Sequence, residues 1–240
     1  MKKIILALGF ISFLSFGSAT AQEESPASKK LSDIENLEEV KDKTVWESED
    51  GLFSFDMLNH LDFGWHNVEG DSFIDKFGKS TEIALNVFEM GINPSKWFSI
   101  YAGADLRWNR FTGKKSVMFG VNSGNIIATP ASGMHSTIRN FAISVPIGLH
   151  FHAGDFGIRI GAEANFNIDK FTRIVSDYST ADIDYTARQK GGKLESMTYD
   201  CFAYLYYSII GVYYKYCPKS LTPDSDIIKS YSTIGIALMF

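Results

Sequence analysis

After residue 51, hydrophobic and polar residues alternate one by one through most of the chain. In the clearest case, Phe156 to Ile168, every second residue is apolar, and between them stand Gly157, Arg159, Gly161, Glu163, Asn165 and Asn167. Because successive side chains of a β-strand point to opposite sides, this pattern predicts a strand with one apolar and one polar face. The polar face combines small, amide and charged residues, as in a crowded interior. We therefore expect the apolar face to point outward, which is stable only in a membrane.

The same alternation returns in other segments and predicts about eight antiparallel strands. We place the strands at 53–66, 80–92, 98–109, 140–151, 156–170, 199–207, 212–217 and 231–240. The phase blurs near Phe88 and Glu89, where we expect a β-bulge or the membrane edge. Pro146 falls on a polar face and requires a bulge or a missing ladder bond. The strands 199–207 and 212–217 are aromatic on both faces, so their phase stays open, with Lys215 assigned inward.

The predicted connections alternate between long and short. The long ones are 67–79, 112–136, 172–196 and 218–229, and the short ones are 93–96, 153–155 and 208–211. Outer-membrane barrels have short periplasmic turns and longer extracellular loops, so this alternation predicts that both termini are periplasmic. We expect 112–136 to be a solvated, mobile loop, and 172–196, which is long and mixed in charge, to be mobile too. For the first loop, folding over the barrel mouth, a partner contact, and binding of lipopolysaccharide phosphates through Lys114 and Lys115 stay open.

The first fifty residues predict export and a separate extension. A short basic start, an apolar run and a small-residue site ending at Ala21 predict a cleaved signal peptide over 1–21. Residues 22–51 form a charged periplasmic extension, either partly helical from Ser32 to about Lys43 or a disordered linker. Residues 52–240 form the barrel. The net charge of −5 argues against a nucleic-acid partner.

The end of the chain resembles a known family. Ile234, Ile236, Leu238 and Phe240 alternate up to a terminal aromatic residue. This stretch is similar to the closing strand of small bacterial outer-membrane β-barrel proteins, whose end is the signal read by the barrel-insertion machinery. Gly211 to Tyr216 is similar to the penultimate strand of the outer membrane protein beta-barrel domain group, which includes the PorT-like proteins. The resemblance covers about 52–240 and implies an antiparallel transmembrane β-barrel in the bacterial outer membrane.

A set of inward-facing charged residues is the best candidate for a site: Asp105, Arg107, Arg159 and Glu163. Barrels of this size are usually filled by side chains, so we expect these charges to form ion pairs inside the barrel. A conduction path or a ligand site is the alternative. Removing the charge of Arg159 is then expected to lower folding stability.

Other candidate chemistry is weaker. His60, His66, His150 and His152 lack the ligand spacing of a metal site, and no metal or other cofactor is expected. No spacing of nucleophile, base and acid is convincing. Cys201 and Cys217 are expected on opposite faces of their strands, which favours two free thiols.

The sequence therefore predicts a non-enzymatic outer-membrane barrel with a structural, adhesive or envelope-transport accessory role. A narrow pore for small solutes and a lipid-modifying enzyme, a hydrolase or acyltransferase, are the alternatives. A soluble, lipocalin-like barrel with its apolar face inward is the competing fold. The expected partners are outer-membrane lipids, lipopolysaccharide, the insertion machinery and an envelope protein.

Overall fold

The computed structural model describes residues 45–47, 51–69, 73–75, 78–179, 184–222, 225 and 227–240. The predicted signal peptide and the predicted helix from Ser32 to Lys43 lie outside these residues. No helix in the described part of the chain is long and apolar enough to cross a membrane.

The described chain is almost entirely β-structure. The strands are β1 Val45–Glu47, β2 Phe53–Met57, β3 His60–Val68, β4 Thr81–Ser95, β5 Phe98–Thr112, β6 Val117–Asn122, β7 Asn125–Pro130, β8 Met134–Ala153, β9 Phe156–Asn167, β10 Arg173–Ser179, β11 Asp184–Lys190, β12 Met197–Tyr207, β13 Ile210–Cys217 and β14 Tyr231–Met239. A 3-10 turn, Asp169–Phe171, follows β9.

Antiparallel pairing closes the sheet into a barrel. The described strands pair in the order β3, β4, β5, β8, β9, β12, β13 and β14, and β14 pairs back with β3. Closure removes the exposed sheet edges that an open sheet would present. The predicted antiparallel β-barrel is thus confirmed.

The first predicted strand is broken into two. β2 and β3 are separated at Leu58, which has a φ of 55°, in the left-handed region. Both strands pair with β4, and the register of β4 against β5 shifts between Asn86 and Phe88, directly opposite this break. The predicted disturbance near Phe88 is therefore a β-bulge in β4. Beyond it, β1 pairs with β2.

Pro146 occupies a gap in the hydrogen-bond ladder. The pairing of β8 with β5 passes from Ile147 opposite Ala102 to Ser144 opposite Asp105, with no paired residues between. Because proline has no backbone N–H, it is tolerated where the ladder is interrupted.

The two faces of the barrel have the orientation that alternation predicts. Large apolar side chains on the outside are exposed, for example Ile147 at 59% and Ile160 at 42%, while Arg107 and Asp62 inside are at 0%. A soluble barrel would bury the apolar face, so the lipocalin-like alternative is wrong. Cys201 is exposed and Cys217 is buried, and both are free thiols, as their opposite facing predicted.

Apolar side chains from the long connections form a cap inside one end of the barrel. The buried members of this cap are Ile74, Phe111, Val117, Phe119, Ile126, Ile138, Ile174, Leu194, Cys217, Leu221, Ile227, Ile228 and Tyr231. All four long connections contribute, and they rest on strand residues such as Phe111 and Ile138. We call this the long-loop end and the opposite one the short-turn end.

The expectation that 112–136 is a solvated loop is wrong, and the described part of 172–196 also forms strands. β6 and β7 form a hairpin that contributes Phe119 and Ile126 to the cap. β10 and β11 form a second hairpin, and β10 pairs with the end of β8. Backbone hydrogen bonds join the connections, such as Lys193 N–H to Gly124 O at 2.7 Å. Burial of the apolar side chains in these loops is favourable, which explains why the loops pack against one another.

Candidate functional site

The barrel interior brings together charged residues from six of its strands. Glu163 on β9 and Asp200 on β12 lie directly opposite each other in the register. Two carboxylates in this position repel each other unless a cation lies between them. That cation is Arg107, which reaches across the interior from β5.

Arg107 is fully buried and pairs with three carboxylates. Its Nη1 lies 2.6 Å from Asp200 Oδ2, its Nε lies 3.2 Å from Glu82 Oε2, and its Nη2 also pairs with Glu163. A guanidinium has five donors in a planar fork, so it can bind several carboxylates in one plane. The three carboxylates belong to β4, β9 and β12, and Arg107 therefore joins opposite walls of the barrel.

Lys215 is the second fully buried cation of this group. Its Nζ lies 3.1 Å from Asp62 Oδ2, 3.3 Å from Glu82 Oε1 and 3.7 Å from Glu163 Oε1. Two tyrosine rings complete its surroundings. Tyr204 donates to Asp62 Oδ2 at 2.5 Å, and Tyr213 donates to Glu82 Oε1 at 3.1 Å. We call Asp62, Glu82, Arg107, Glu163, Asp200 and Lys215 the lumen network.

Glycines make room for the tyrosine rings inside the barrel. A Cβ on Gly235 would lie 2.5 Å from the ring of Tyr213, and one on Gly64 would lie 2.2 Å from its hydroxyl oxygen. The small residues of the polar faces therefore allow large polar side chains from neighbouring strands to lie flat across them. This packing fills the interior beside the lumen network.

A second charged group lies near the short-turn end. Arg159 pairs with Glu89, and its guanidinium carbon lies 4.6 Å from the centre of the Tyr101 ring. His150 Nε2 is 2.5 Å from the hydroxyl oxygen of Tyr206. These residues face a cavity of about 690 Å³ that we call the vestibule. Its other lining residues include Asp56, Lys96, Ser99, His152, Ser208 and Phe240.

The four candidate charges predicted from sequence lie inside the barrel, but they do not form one cluster. Arg107 and Glu163 are paired in the lumen network, whereas Arg159 belongs to the vestibule. Asp105 accepts a hydrogen bond from Asn86 Nδ2 at 2.8 Å, and His60 Nε2 lies 3.9 Å from it. The site residues predicted from the sequence did not include Asp62, Glu82, Glu89, Asp200 and Lys215, although the inward phase of Asp62, Glu82 and Lys215 was the available signal.

Carboxylates outnumber basic side chains inside the barrel. Among the described residues, the buried acids are Asp62, Glu82, Glu89, Asp105, Glu163 and Asp200, and the buried arginines and lysine are Arg107, Arg159 and Lys215. An enclosed region with this excess attracts cations and repels anions. Any solute that entered it would therefore be selected by charge.

The histidines lie in different surroundings inside the barrel. His66 Nδ1 is 2.8 Å from Thr233 Oγ1, and its ring stacks on Phe111 below the cap. His150 and His152 lie in the vestibule with ring centres 4.9 Å apart. In the described part of the chain, no group of three or more His, Cys, Asp and Glu side chains is arranged to hold a metal ion.

The remaining candidate residues lie at the barrel surface. Ile234 and Ile236 are exposed and Leu238 is half-buried on β14, the strand that closes the barrel against β3, and the exposed Phe240 directly follows it. Lys115 is exposed and Lys114 is half-buried, both between β5 and β6.

Comparisons with known proteins add little to this description. No family model and no curated protein matches the chain. Among solved structures, an engineered triple mutant of Rhodopseudomonas blastica porin is 8% identical, with a TM-score of 0.21, over 78% of this chain and 100% of the porin. A fivefold mutant of the same porin is 9% identical, with a TM-score of 0.22 and the same coverage. Similarity at this level carries no argument, and the fold assignment depends on the strand pairing.

Proposed function

We propose that this chain is a plugged β-barrel of the bacterial outer membrane with a non-enzymatic structural, adhesive or envelope-transport accessory role. The observation that carries the proposal is an apolar exterior around an ion-paired polar interior. In this proposal the termini and the short turns are periplasmic, and the long loops face outward. Membership of the PorT-like group is part of the proposal.

The outer surface supports membrane insertion. The stretch from Phe98 to Trp108 on β5, at about 3.3 Å per residue and a tilt of about 40°, spans about 25 Å, the height of the apolar band of such barrels. Exposed aromatic residues stand at both limits, Trp97 at one end and Trp108 at the other. Aromatic girdles of this kind mark the two membrane interfaces.

Two layers of side chains inside the barrel support the proposal that it does not conduct ions. The lumen network crosses the middle of the barrel, with Arg107 and Lys215 each bound to three carboxylates. The cap fills the long-loop end with apolar side chains. An ion would have to break several buried ion pairs and then pass a dry layer, which is costly.

Planar-bilayer recording tests this proposal. Purified, folded protein should insert into the bilayer without producing a steady ohmic conductance. The recording uses about 1 M KCl, where the Debye length is about 3 Å. Arg107→Ala combined with Phe119→Ala, which opens both layers, should produce cation-selective events because carboxylates then dominate the interior. Arg188→Ala, an exposed substitution, is the matched control and should stay silent.

Steady conductance by the wild-type protein would contradict the plug and favour the narrow pore. The vestibule, which opens at the short-turn end, is the observation that keeps the pore as the second candidate. Turnover of phospholipid or lipopolysaccharide by the reconstituted protein would instead contradict the non-enzymatic role and favour the lipid-modifying enzyme.

A further inference from the structure

Four basic residues form a continuous row on the outside of the barrel. Arg110 on β5 lies opposite Arg139 on β8, Arg139 lies opposite Arg173 on β10, and Arg173 lies opposite Lys190 on β11. All four are exposed. Paired residues on adjacent strands lie about 5 Å apart, so the row spans about 15 Å. We call Arg110, Arg139, Arg173 and Lys190 the basic row.

No described residue of the barrel balances the positive charge of the basic row. None of its four members forms an ion pair with a described residue. Arg188 adds a further exposed cation next to Lys190 on the outer face of β11. Like charges placed directly opposite each other destabilise a sheet. A row of them is therefore a cost to folding unless an anion lies against it.

The nearest outward acid on these strands does not neutralise the row. Among the side chains described there, Asp177 is four residues beyond Arg173 on β10, and it accepts a hydrogen bond from Thr186 at 2.8 Å. This hydrogen bond lies on the β11 side of β10, whereas Arg139 lies on the β8 side. The basic row thus presents an unbroken positive surface.

The basic row borders the apolar belt on the side of the long-loop end. Two positions before Arg110 and two positions after Arg139, the same outer faces carry Trp108 and Phe141, whose ring centres are 5.2 Å apart. Phe171 packs on Phe141 at 5.6 Å and extends this aromatic patch. If the aromatic patch marks the membrane interface, the basic row lies at the depth of the lipid phosphates.

We infer that the basic row binds the phosphate groups of a lipid headgroup, which in the outer leaflet of an outer membrane are those of lipopolysaccharide. This inference depends on the proposed function, since it requires the long-loop end to face that leaflet. Arginine forks bind phosphate oxygens in pairs, and the span of about 15 Å leaves room for more than one phosphate. The inferred lipid contact lies on the strands and not at Lys114 and Lys115.

Titration with defined lipids tests the inference. Protein folded in zwitterionic micelles is mixed with lipid A carrying both phosphates, with dephosphorylated lipid A, or with inorganic phosphate, and binding is followed by fluorescence quenching and calorimetry. The phosphorylated lipid should bind, and the other two should bind at least about tenfold more weakly, as expected when charge-assisted hydrogen bonds or the buried acyl chains are lost.

Arg139→Gln is the informative variant because Arg139 lies between two other arginines. It should weaken binding of phosphorylated lipid A about tenfold, the loss of one charge-assisted contact. Arg139→Lys should lose less, because the charge remains and only the fork is lost. Lys96→Gln, an equal loss of charge on an exposed residue of a short turn, is the control and should bind like wild type.

The same variant distinguishes a ligand site from a structural role. Without lipid, Arg139→Gln should unfold at the same or a higher urea concentration than wild type, because one repulsive charge is removed. With phosphorylated lipid A bound, the order should reverse. Lower stability in both conditions would overturn the inference, as would equal binding of both lipids or an equal loss in Lys96→Gln.

Flotation with zwitterionic vesicles separates this inference from the proposed function. A protein that floats with vesicles but does not distinguish the two lipids refutes only the phosphate site. A folded protein that does not float refutes membrane insertion itself, and with it both proposals.

Discussion

At the residue scale, the barrel interior shows how like charges can be brought together by a single opposite charge. The register places Glu163 against Asp200, and the bulge in β4 leaves Glu89 inside the barrel next to Arg159. Burying these groups unpaired would cost more than the fold could recover. The ion pairs therefore compensate the cost of burial more than they add net stability.

Removing Arg107 should destabilise the barrel more than removing Arg159. Arg107→Gln leaves three carboxylates without their shared cation, and breaking a buried ion pair costs about 3–5 kcal/mol. Arg159→Gln frees one carboxylate, Glu89, at the edge of the water-accessible vestibule, so its cost should be smaller. Urea unfolding in vesicles, followed by the shift between folded and unfolded bands in electrophoresis, measures both. Equal losses in the two variants would contradict a central role of Arg107.

At the element scale, the hairpin of β6 and β7 turns a long connection into part of the core. Ile126 on β7 is 1% exposed within the cap, whereas its neighbour Ile127 is 38% exposed on the other face. The alternation of these few residues is visible in the sequence, but it does not predict whether one face of the hairpin packs against other apolar residues. The partners come from connections that are distant in the chain, such as Leu194 and Ile228.

Ile126 and Ile127 form a matched pair for testing the cap. Ile126→Ala should lower the stability of the cap by about 2–5 kcal/mol, the usual cost of truncating a buried aliphatic side chain. Trypsin should then cleave the folded protein faster after Lys114 and Lys115, which mass spectrometry detects. Ile127→Ala should leave the cleavage rate unchanged. Equal rates in wild type and Ile126→Ala would mean that the hairpin does not depend on the cap.

At the scale of the whole molecule, the pairing of β14 with β3 closes the surface of the barrel. The backbone N–H of Phe240 donates to Asn59 O at 2.8 Å, so the terminal residue is tied to the break between β2 and β3. Outside this ring the exposed residues are apolar over the middle and aromatic at the limits. A barrel exterior of this composition supports the proposed insertion into a bilayer.

Tryptophan quenching by brominated lipids should locate the two interfaces. Single-tryptophan variants that keep Trp97 or Trp108, with the other tryptophans including Trp46 replaced by Phe, are reconstituted in vesicles. Both should be quenched more by bromine near the headgroup than by bromine near the bilayer centre, because each lies at one limit of the apolar belt. The same variants unfolded in urea provide the control. Strongest quenching from the bilayer centre would contradict the proposed position of the girdles.

The sequence alone predicted the segments that form the barrel strands, the facing of their side chains outside 199–207 and 212–217, and the alternation of long and short connections. These properties depend on a two-residue period and on local turns, and both can be read from neighbouring residues. It also placed Asp105, Arg107, Arg159 and Glu163 on polar faces. The inward position of Glu89 was not predicted, because the bulge in β4 shifts the two-residue alternation at this point.

Only the tertiary structure decided which charges meet, how the long connections pack and where the basic row forms. Arg107 and Asp200 are 93 positions apart, and their contact depends on the order and stagger of strands around the ring. The alignment of Arg110, Arg139, Arg173 and Lys190 likewise depends on the register of four strands. Register between strands joined by long connections depends on the packing of the whole barrel as well as on the pattern of each strand, so neighbouring residues alone do not give it.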